Sequence, residues 1–221
     1  MFLTINWKIE NQVGFLELNN PPSNVMSSIF FDEFYEWRTR VVPHAKVKSI
    51  IFYGKGRHFS SGAVVNDLIR VIQKSKKQLG DIQEVSAFLS KNSQIFLSLK
   101  DLEIPIISAV RGVCLGSAFE LALCTDYILC ADKAVLGLPE STFGLIPGCT
   151  GTYLLPKITS RAIALELILT GKTFSADQAL QWNLIHQVVP AKQLMEQALR
   201  VAHRFNNNFH KDLKKINGNG K

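Results

Sequence analysis

The chain has 221 residues, 47% of them hydrophobic and 19% charged, a balance that excludes a disordered chain and suffices for one sizeable globular domain. Lysine and arginine outnumber aspartate and glutamate by 25 to 18, a net charge of +7. Such a surface attracts anions, whether nucleic acid, an acidic membrane or a phosphate-bearing small molecule, and composition alone does not choose among them.

In chain order, "MFLTINWKIENQ" lacks the basic start, apolar core and small-residue cleavage site of a secretory signal. No apolar run approaches the roughly 18 residues that span a bilayer, so the expectation is a cytoplasmic protein without a membrane partner. "VGFLELNN" (13–20) alternates like a half-buried strand and ends in turn chemistry at Pro21 and Pro22. Residues 27–42 have helical spacing, with Phe30, Phe34 and Trp37 at i, i+4 and i+7. "VKSIIFYG" (47–54) and "IPIISAVRG" (104–112) are short runs closed by glycine, which suits buried parallel strands. Between them, residues 67–99 predict a pair of helices broken at the polar "VIQKSKKQLGD". "DYILCAD" and "AVLGLPE" read as further short strands, 160–169 and 175–182 as helices, the second entered by a serine cap. "NLIHQVVP" is a late strand and 192–205 a closing helix, after which the polar, basic tail is expected to be loose or held by a partner. Strands alternating with helices imply an α/β fold with crossover connections.

Cys114, Cys124, Cys130 and Cys149 lack metal-ligand spacing and sit in apolar company, so buried reduced thiols are expected and no metal site. The chemistry-bearing residues lie elsewhere. In "GVCLGSAFELALCTD" (112–126) a single carboxylate, Glu120, stands in an apolar segment. If Gly116 and Ser117 open a helix, the unpaired first-turn N–H groups suit a developing negative oxygen. Glu120, one turn further in, must then be paired, hydrated or protonated; an exposed helix face or a salt bridge to Arg111 is the plainer reading. Glu140 follows Pro139 before a stretch rich in glycine and proline, where simple solvent exposure is the plainer reading. Two carboxylates meeting in one apolar pocket would supply a general acid and a general base. In "GKGRHFSSGAVVNDL" (54–68) the small residues Ser60, Ser61, Gly62 and Ala63 permit close backbone approach to a ligand. The segment does not satisfy the phosphate-cradling G-x-x-x-x-G-K-[ST] pattern. Adjacent loop positions rarely align as nucleophile and base, which disfavours a Ser60/Ser61–His58 pair.

These stretches together resemble the crotonase, or enoyl-CoA hydratase/isomerase, superfamily. The likeness runs from about Val13 to Pro190 through "LNNPPSNVMS", "GKGRHFSSGAVV", "IPIISAVRGVCLGSAFELALCTDYILCAD", "LGLPESTFGLIPGCTGTYLLPKI" and "LTGKTFSADQALQWNLIHQVVP", in the family's order. It implies a crotonase-like spiral of ββα units over 1–190, followed at 191–221 by a C-terminal helix and basic tail. Family members usually carry a longer C-terminal helical region that covers the site and builds trimers. A shortened lid, or one supplied by a neighbouring subunit, is therefore implied, with a homotrimer or dimer of trimers as the assembly.

The resemblance also implies a function, namely syn-addition of water to a 2-enoyl-CoA thioester or its reverse. The catalytic glutamates match Glu120 and Glu140, and the oxyanion-hole N–H groups match Ala63 and Ser117. Gly62, Val64, Val65, Asn66, Gly116 and Gly148 would line the substrate, and Lys55 and Arg57 would meet the CoA phosphates. CoA is part of the substrate, and no separate cofactor is implied. The sequence departs from the family where Ser117 and Ala118 stand for the common Gly-Gly, Val64 replaces a frequent Asp, Phe119 is bulky, and Cys149 and Thr150 replace smaller residues. Those departures bear on acyl preference. Isomerisation of a double bond, or dehydration or decarboxylation of a CoA- or carrier-bound acyl group, remain open. A non-catalytic CoA- or RNA-binding homologue would use the +7 charge and "HKDLKK". No aromatic-plus-basic RNA signature accompanies it, and the surplus charge equally suits CoA phosphates, so nucleic acid is not expected as a partner.

Overall fold

The computed structural model describes residues 2–64 and 82–218, with side chains left out at 82–89 and from 208 onward. Nine strands form two sheets among these residues. The larger has the order β1 (Ile5–Glu10), β2 (Val13–Leu18), β3 (Ser49–Gly54), β4 (Ile106–Val110), β6 (Tyr127–Ala131), β9 (Gln187–Val189). Every neighbouring pair is parallel except the opening β1–β2 hairpin. The smaller sheet joins β5 (Val113–Leu115), β7 (Val135–Gly137) and β8 (Thr173–Ser175).

Alternation along the strands of the larger sheet divides the core. Leu16, Leu18, Ile50, Phe52, Ile106 and Val110 face one side, packed on helices α1 (Ser28–Glu36) and α2 (Ile82–Leu97). Val13, Phe15, Ile51, Ile107, Ala109 and Leu129 face the other, under α7 (Leu194–Gly218) through Leu194, Ala198, Val201 and Ala202. The expected half-buried strand at 13–20 is thus apolar on both faces, since β2 lies between two neighbours and two layers. Gly14 in it admits the Trp7 ring, which a side chain would strike at 2.1 Å.

The remaining elements advance as a spiral. β4 in the large sheet leads to β5 in the small one and then to α3 (Ser117–Leu123). β6 and β7 repeat the step and lead to α4 (Gly151–Ile158) and α5 (Arg161–Thr170). The expected spiral of ββα units is present. Ser175 caps α6 (Ala176–Gln181) with a reciprocal capping box through Gln178. The helix expected over 27–42 stays α-helical only to Glu36, then widens into a π turn, Trp37–Val41, and closes as a 3-10 turn holding Pro43. Proline has no N–H for the ladder and its ring crowds the carbonyl four residues back. Of the helix pair expected over 67–99, α2 is observed, while 65–81 lie outside the described residues. The closing helix runs on past the expected 205, its backbone helical to 218, in keeping with a stretch free of proline and of glycine before Gly218. Among the described residues no helix is long and apolar enough to cross a membrane.

Candidate active site

The two small-residue turns lie side by side. Ser60 bridges Cys114 in parallel, its N–H donating to Val113 O and its carbonyl accepting from Leu115 N, both at 3.1 Å. A methyl group built on Gly62 would meet Leu115 O at 2.4 Å and Ser117 N at 3.4 Å, so only glycine permits this approach, and its φ of +88° is also one that glycine tolerates. Ala63 pairs with Met26, but the hydrogen bonds run through its neighbours: Met26 N donates to Gly62 O and Val64 N to Met26 O. The Ala63 amide is thereby turned away from the bridge. Ser117 is the first residue of α3, behind Gly116 at φ +55°, and its amide is an unpaired helix-terminal donor. Neither amide has a protein acceptor among the described residues.

Asn24, buried at a left-handed φ of +51°, holds the turn before these residues. Its Nδ2 donates to the carbonyls of Lys55 at 2.9 Å, His58 at 2.8 Å and Phe59 at 3.2 Å, while Oδ1 accepts from Asn20 N. His58 accepts from Val113 N through Nδ1 and Ser60 Oγ accepts from Gly62 N, so both serve the backbone and no Ser–His pair forms. Lys55 and Arg57 are exposed, Val64 is half-buried, and Val65 and Asn66 lie outside the described residues.

Every residue of α3 is buried, which makes it a core helix, and Glu120 is only 1% exposed. The exposed-face reading and the Arg111 salt bridge are both corrected. Arg111 lies at the surface and donates to Ala191 O. Glu120 Oε1 instead accepts three main-chain N–H groups, from Cys149 at 3.0 Å and from Thr150 and Gly151 at 2.7 Å. Thr150 Oγ1 also donates to the Glu120 carbonyl at 3.1 Å. The acceptor sits on the N-terminus of α4, where aligned amides favour negative charge. Burial raises the Glu120 pKa, and the three amide bonds oppose that rise.

Glu140 enters on a 3-10 turn, Pro139–Phe143, at the end of β7. It is partly buried, which corrects the solvent-exposed reading. A methyl group on Gly116 would lie 2.8 Å from its Oε1, and its Oε2 is buried without a hydrogen-bond partner. Burial, with the nearby Glu120 charge second, pushes its pKa up to about 7. Glu140, Ala63, Gly116, Ser61, Phe143 and Leu145 line one cavity. Gly148 lies half-buried on the loop that binds Glu120, its carbonyl accepting from Ser93 Oγ at 3.3 Å. Cys114, Cys124 and Cys130 are buried free thiols and Cys149 is half-buried. Among the described residues no group of three or more His, Cys, Asp or Glu could hold a metal ion.

Sequence reasoning missed four contributors. Asn24 stood inside a quoted motif without a role, though an Asn after Pro-Pro-Ser is a left-handed turn signal. The amides of Thr150 and Gly151 carry no signature in residue identity, and Ser93 lies in a helix with nothing local to mark it.

Two free amides, a pair of acids and a spiral of ββα units define the class: the fold is that of the crotonase superfamily. A family model described as Enoyl-CoA hydratase/isomerase matches residues 8–219. The chain is similar to the "Probable enoyl-CoA hydratase" of Bacillus subtilis (strain 168), at 33% identity over 204 residues covering 91% of this chain and 75% of the relative. A solved structure from Geobacillus kaustophilus HTA426, described as "Enoyl-CoA Hydrates Subunit I", matches with a TM-score of 0.80 and 31% identity over 93% of this chain and 76% of the other. The enoyl-CoA hydratase from Thermoplasma volcanium GSS1 shares the fold with a TM-score of 0.84 at 23% identity, over 96% and 81% of the two chains. The chain belongs to the enoyl-CoA hydratase/isomerase family.

Proposed function

We propose that the protein is an enoyl-CoA hydratase acting on a 2-enoyl-CoA thioester, with Glu120 and Glu140 as its two catalytic acids. The observation that carries this reading is the unlike environment of the pair. Glu120 has three N–H donors on one oxygen, whereas Glu140 has a buried oxygen with none. Donors to the charged form favour ionisation, and burial without them favours the neutral acid. This reading therefore puts the proton on Glu140 and makes Glu120 the base.

In the hydration direction, Glu120 accepts a proton from water as its oxygen bonds to C3 of the enoyl group. The C2=C3 electrons move toward the thioester, whose oxygen gains enolate charge against the amides of Ala63 and Ser117. Glu140 delivers its proton to C2, and the enolate electrons form the new C–H bond. Both acids act from one side, which makes the addition syn. The acids return to their starting states by proton exchange with water. Preorganised amides at a developing oxyanion contribute on the order of 3 kcal/mol per donor in a shielded site. Lys55 and Arg57, exposed after β3, are the cations this reading assigns to the CoA phosphates.

The test is hydration of crotonyl-CoA by the Glu120→Gln and Glu140→Gln variants, with CoA binding measured alongside. Each substitution is expected to lower kcat by roughly 10²–10⁴-fold while CoA affinity holds. Full hydration by either variant overturns the mechanism. Isomerisation of a 3-enoyl-CoA that survives Glu120→Gln but not Glu140→Gln would instead assign isomerase chemistry resting on a single acid.

A further inference from the structure

Glu120 does not orient its own donors. Two of its three N–H bonds come from Cys149 and Thr150, and each of these amides belongs to a peptide unit whose carbonyl lies on the preceding residue. Those carbonyls, Gly148 O and Cys149 O, share the single hydroxyl proton of Ser93 in a three-centre hydrogen bond, the first at 3.3 Å and the second in a shorter contact. In a trans peptide the C=O and N–H point in opposite directions from one rigid plane. Ser93 and Glu120 thus grip opposite edges of the same two peptide units, with Cys149 N at 3.0 Å and Thr150 N at 2.7 Å from Oε1. Rotation of either plane away from Ser93 would also turn its N–H away from the carboxylate.

Ser93 is itself held firmly. It lies on α2 near Phe96, which is fully buried with its ring 5.7 Å from those of Phe31 and Phe34. Arg38 fixes the chain just beyond α2 by donating twice to Ser98 O, at 2.7 and 3.2 Å. The hydroxyl is therefore presented from a packed element rather than from a loop, as a precise site requires.

We infer that Ser93 is a positioning residue for Glu120, acting through the 148–151 loop: its hydroxyl holds the two peptide planes whose amides keep the buried carboxyl group aligned. For turnover this rests on the reading of Glu120 as the hydration base; for the titration of Glu120 it does not. Without the hydroxyl the planes turn more freely, the carboxylate loses donor strength, and burial raises its pKa further.

The experiment compares wild type, Ser93→Ala and Ser93→Thr in two readouts. One is the carboxyl-stretch infrared titration of Glu120, isolated by subtracting Glu120→Gln; the other is the pH profile of crotonyl-CoA hydration. In Ser93→Ala the Glu120 titration is expected to move up by about one pH unit and kcat to fall about tenfold at neutral pH, the loss of one well-made hydrogen bond. KM should be little changed, and Ser93→Thr, which keeps a hydroxyl, should restore both. An unmoved Glu120 titration in Ser93→Ala overturns the inference, whatever happens to activity. A titration that moves in a protein whose wild type does not hydrate crotonyl-CoA upholds Ser93 and removes the hydratase reading instead. If Ser93→Ala fails to fold, Ser93→Cys supplies the comparison, with a weaker donor and an intermediate shift expected; no shift there overturns the inference equally.

Discussion

A methyl group on Gly116 would sit 2.8 Å from Oε1 of Glu140, so the glycine that opens α3 is fitted directly against the second acid. The same residue has φ +55°, a conformation that strains any L side chain. Gly116→Ala should therefore act on both stability and chemistry. We expect a loss of about 1–2 kcal/mol in urea unfolding, by analogy with other left-handed glycines, and a drop in hydration kcat of tenfold or more as Glu140 is displaced. A variant destabilised by that amount but turning over at the wild-type kcat would show that the close approach has no part in catalysis.

Glu140 also makes stability depend on pH, with a definite sign. Burial raises its pKa from 4.5 to about 7. Between those values the folded protein keeps a proton that the unfolded chain has released, so stability falls as pH rises. The contribution is fully present below about pH 4.5 and is lost through pH 7. Glu140→Gln removes this titration. The variant should gain on wild type as pH is raised from 4.5 to 8, by at most roughly 3 kcal/mol, measured by urea melts across that range. Hydration should share the upper limb, since the proton donor is lost above about pH 7. A stability difference independent of pH would place the Glu140 carboxyl in water.

These sheet strands were legible because their chemistry is local: β3 and β4 are mostly apolar runs that end in glycine or lead to one, and the serine at 175 caps its helix as serines do. Glu120 drew attention because a charge in an apolar run demands an explanation, whereas Glu140, on a loop after Pro139, was singled out by the family resemblance. The partner of Glu120 was not legible. Nothing in the residue types separates an Arg111 ion pair from three main-chain amides thirty residues away, since peptide groups are the same in every sequence. β1 went unread for another reason. Its alternation is weak, with only Ile5 buried, and pairing with β2 defines it. The same holds for β8, three residues fixed by antiparallel pairing to β7. Long-range pairing and backbone donors are what a one-dimensional pattern leaves out.

The thiols should be quiet. Burial raises Cys114 and Cys130 well above the ordinary thiol range and pushes Cys124 up to about 11. Cys149, although half-buried, is raised by burial and by the neighbouring charges of Glu120 and Glu140. The thiolate is the reactive form, so at pH 7.5 the folded protein should label with a disulfide reagent on the order of a hundredfold more slowly than in denaturing urea, where all four cysteines react. Glu120→Gln removes one repelling charge and should speed labelling of Cys149 alone, read by peptide mass. Rapid single-site labelling of the native wild type would contradict this picture of the loop beside Glu120.

Asn24 carries the last prediction, because one side chain there meets four main-chain groups. Its amide holds the carbonyls of Lys55, His58 and Phe59, and its oxygen accepts from Asn20. The segment thus fixed leads directly into Ser60–Ala63, whose amide alignment the oxyanion reading requires. Asn24→Ala removes these bonds, leaves buried carbonyls unpaired and puts at φ +51° a residue that tolerates this conformation less well than asparagine. Costs of this kind come to about 2–4 kcal/mol. Asn24→Gly relieves the backbone strain but not the lost bonds, and should recover about 1 kcal/mol of that. Asn24→Asp keeps the shape and the acceptor yet turns a carboxylate toward three carbonyl oxygens, so it should be at least as damaging as alanine at pH 8 and less so near pH 4, where protonation restores one donor. Urea melts of the three variants at both pH values order them; an aspartate variant as stable as wild type at pH 8 would mean that the side chain does not face these carbonyls.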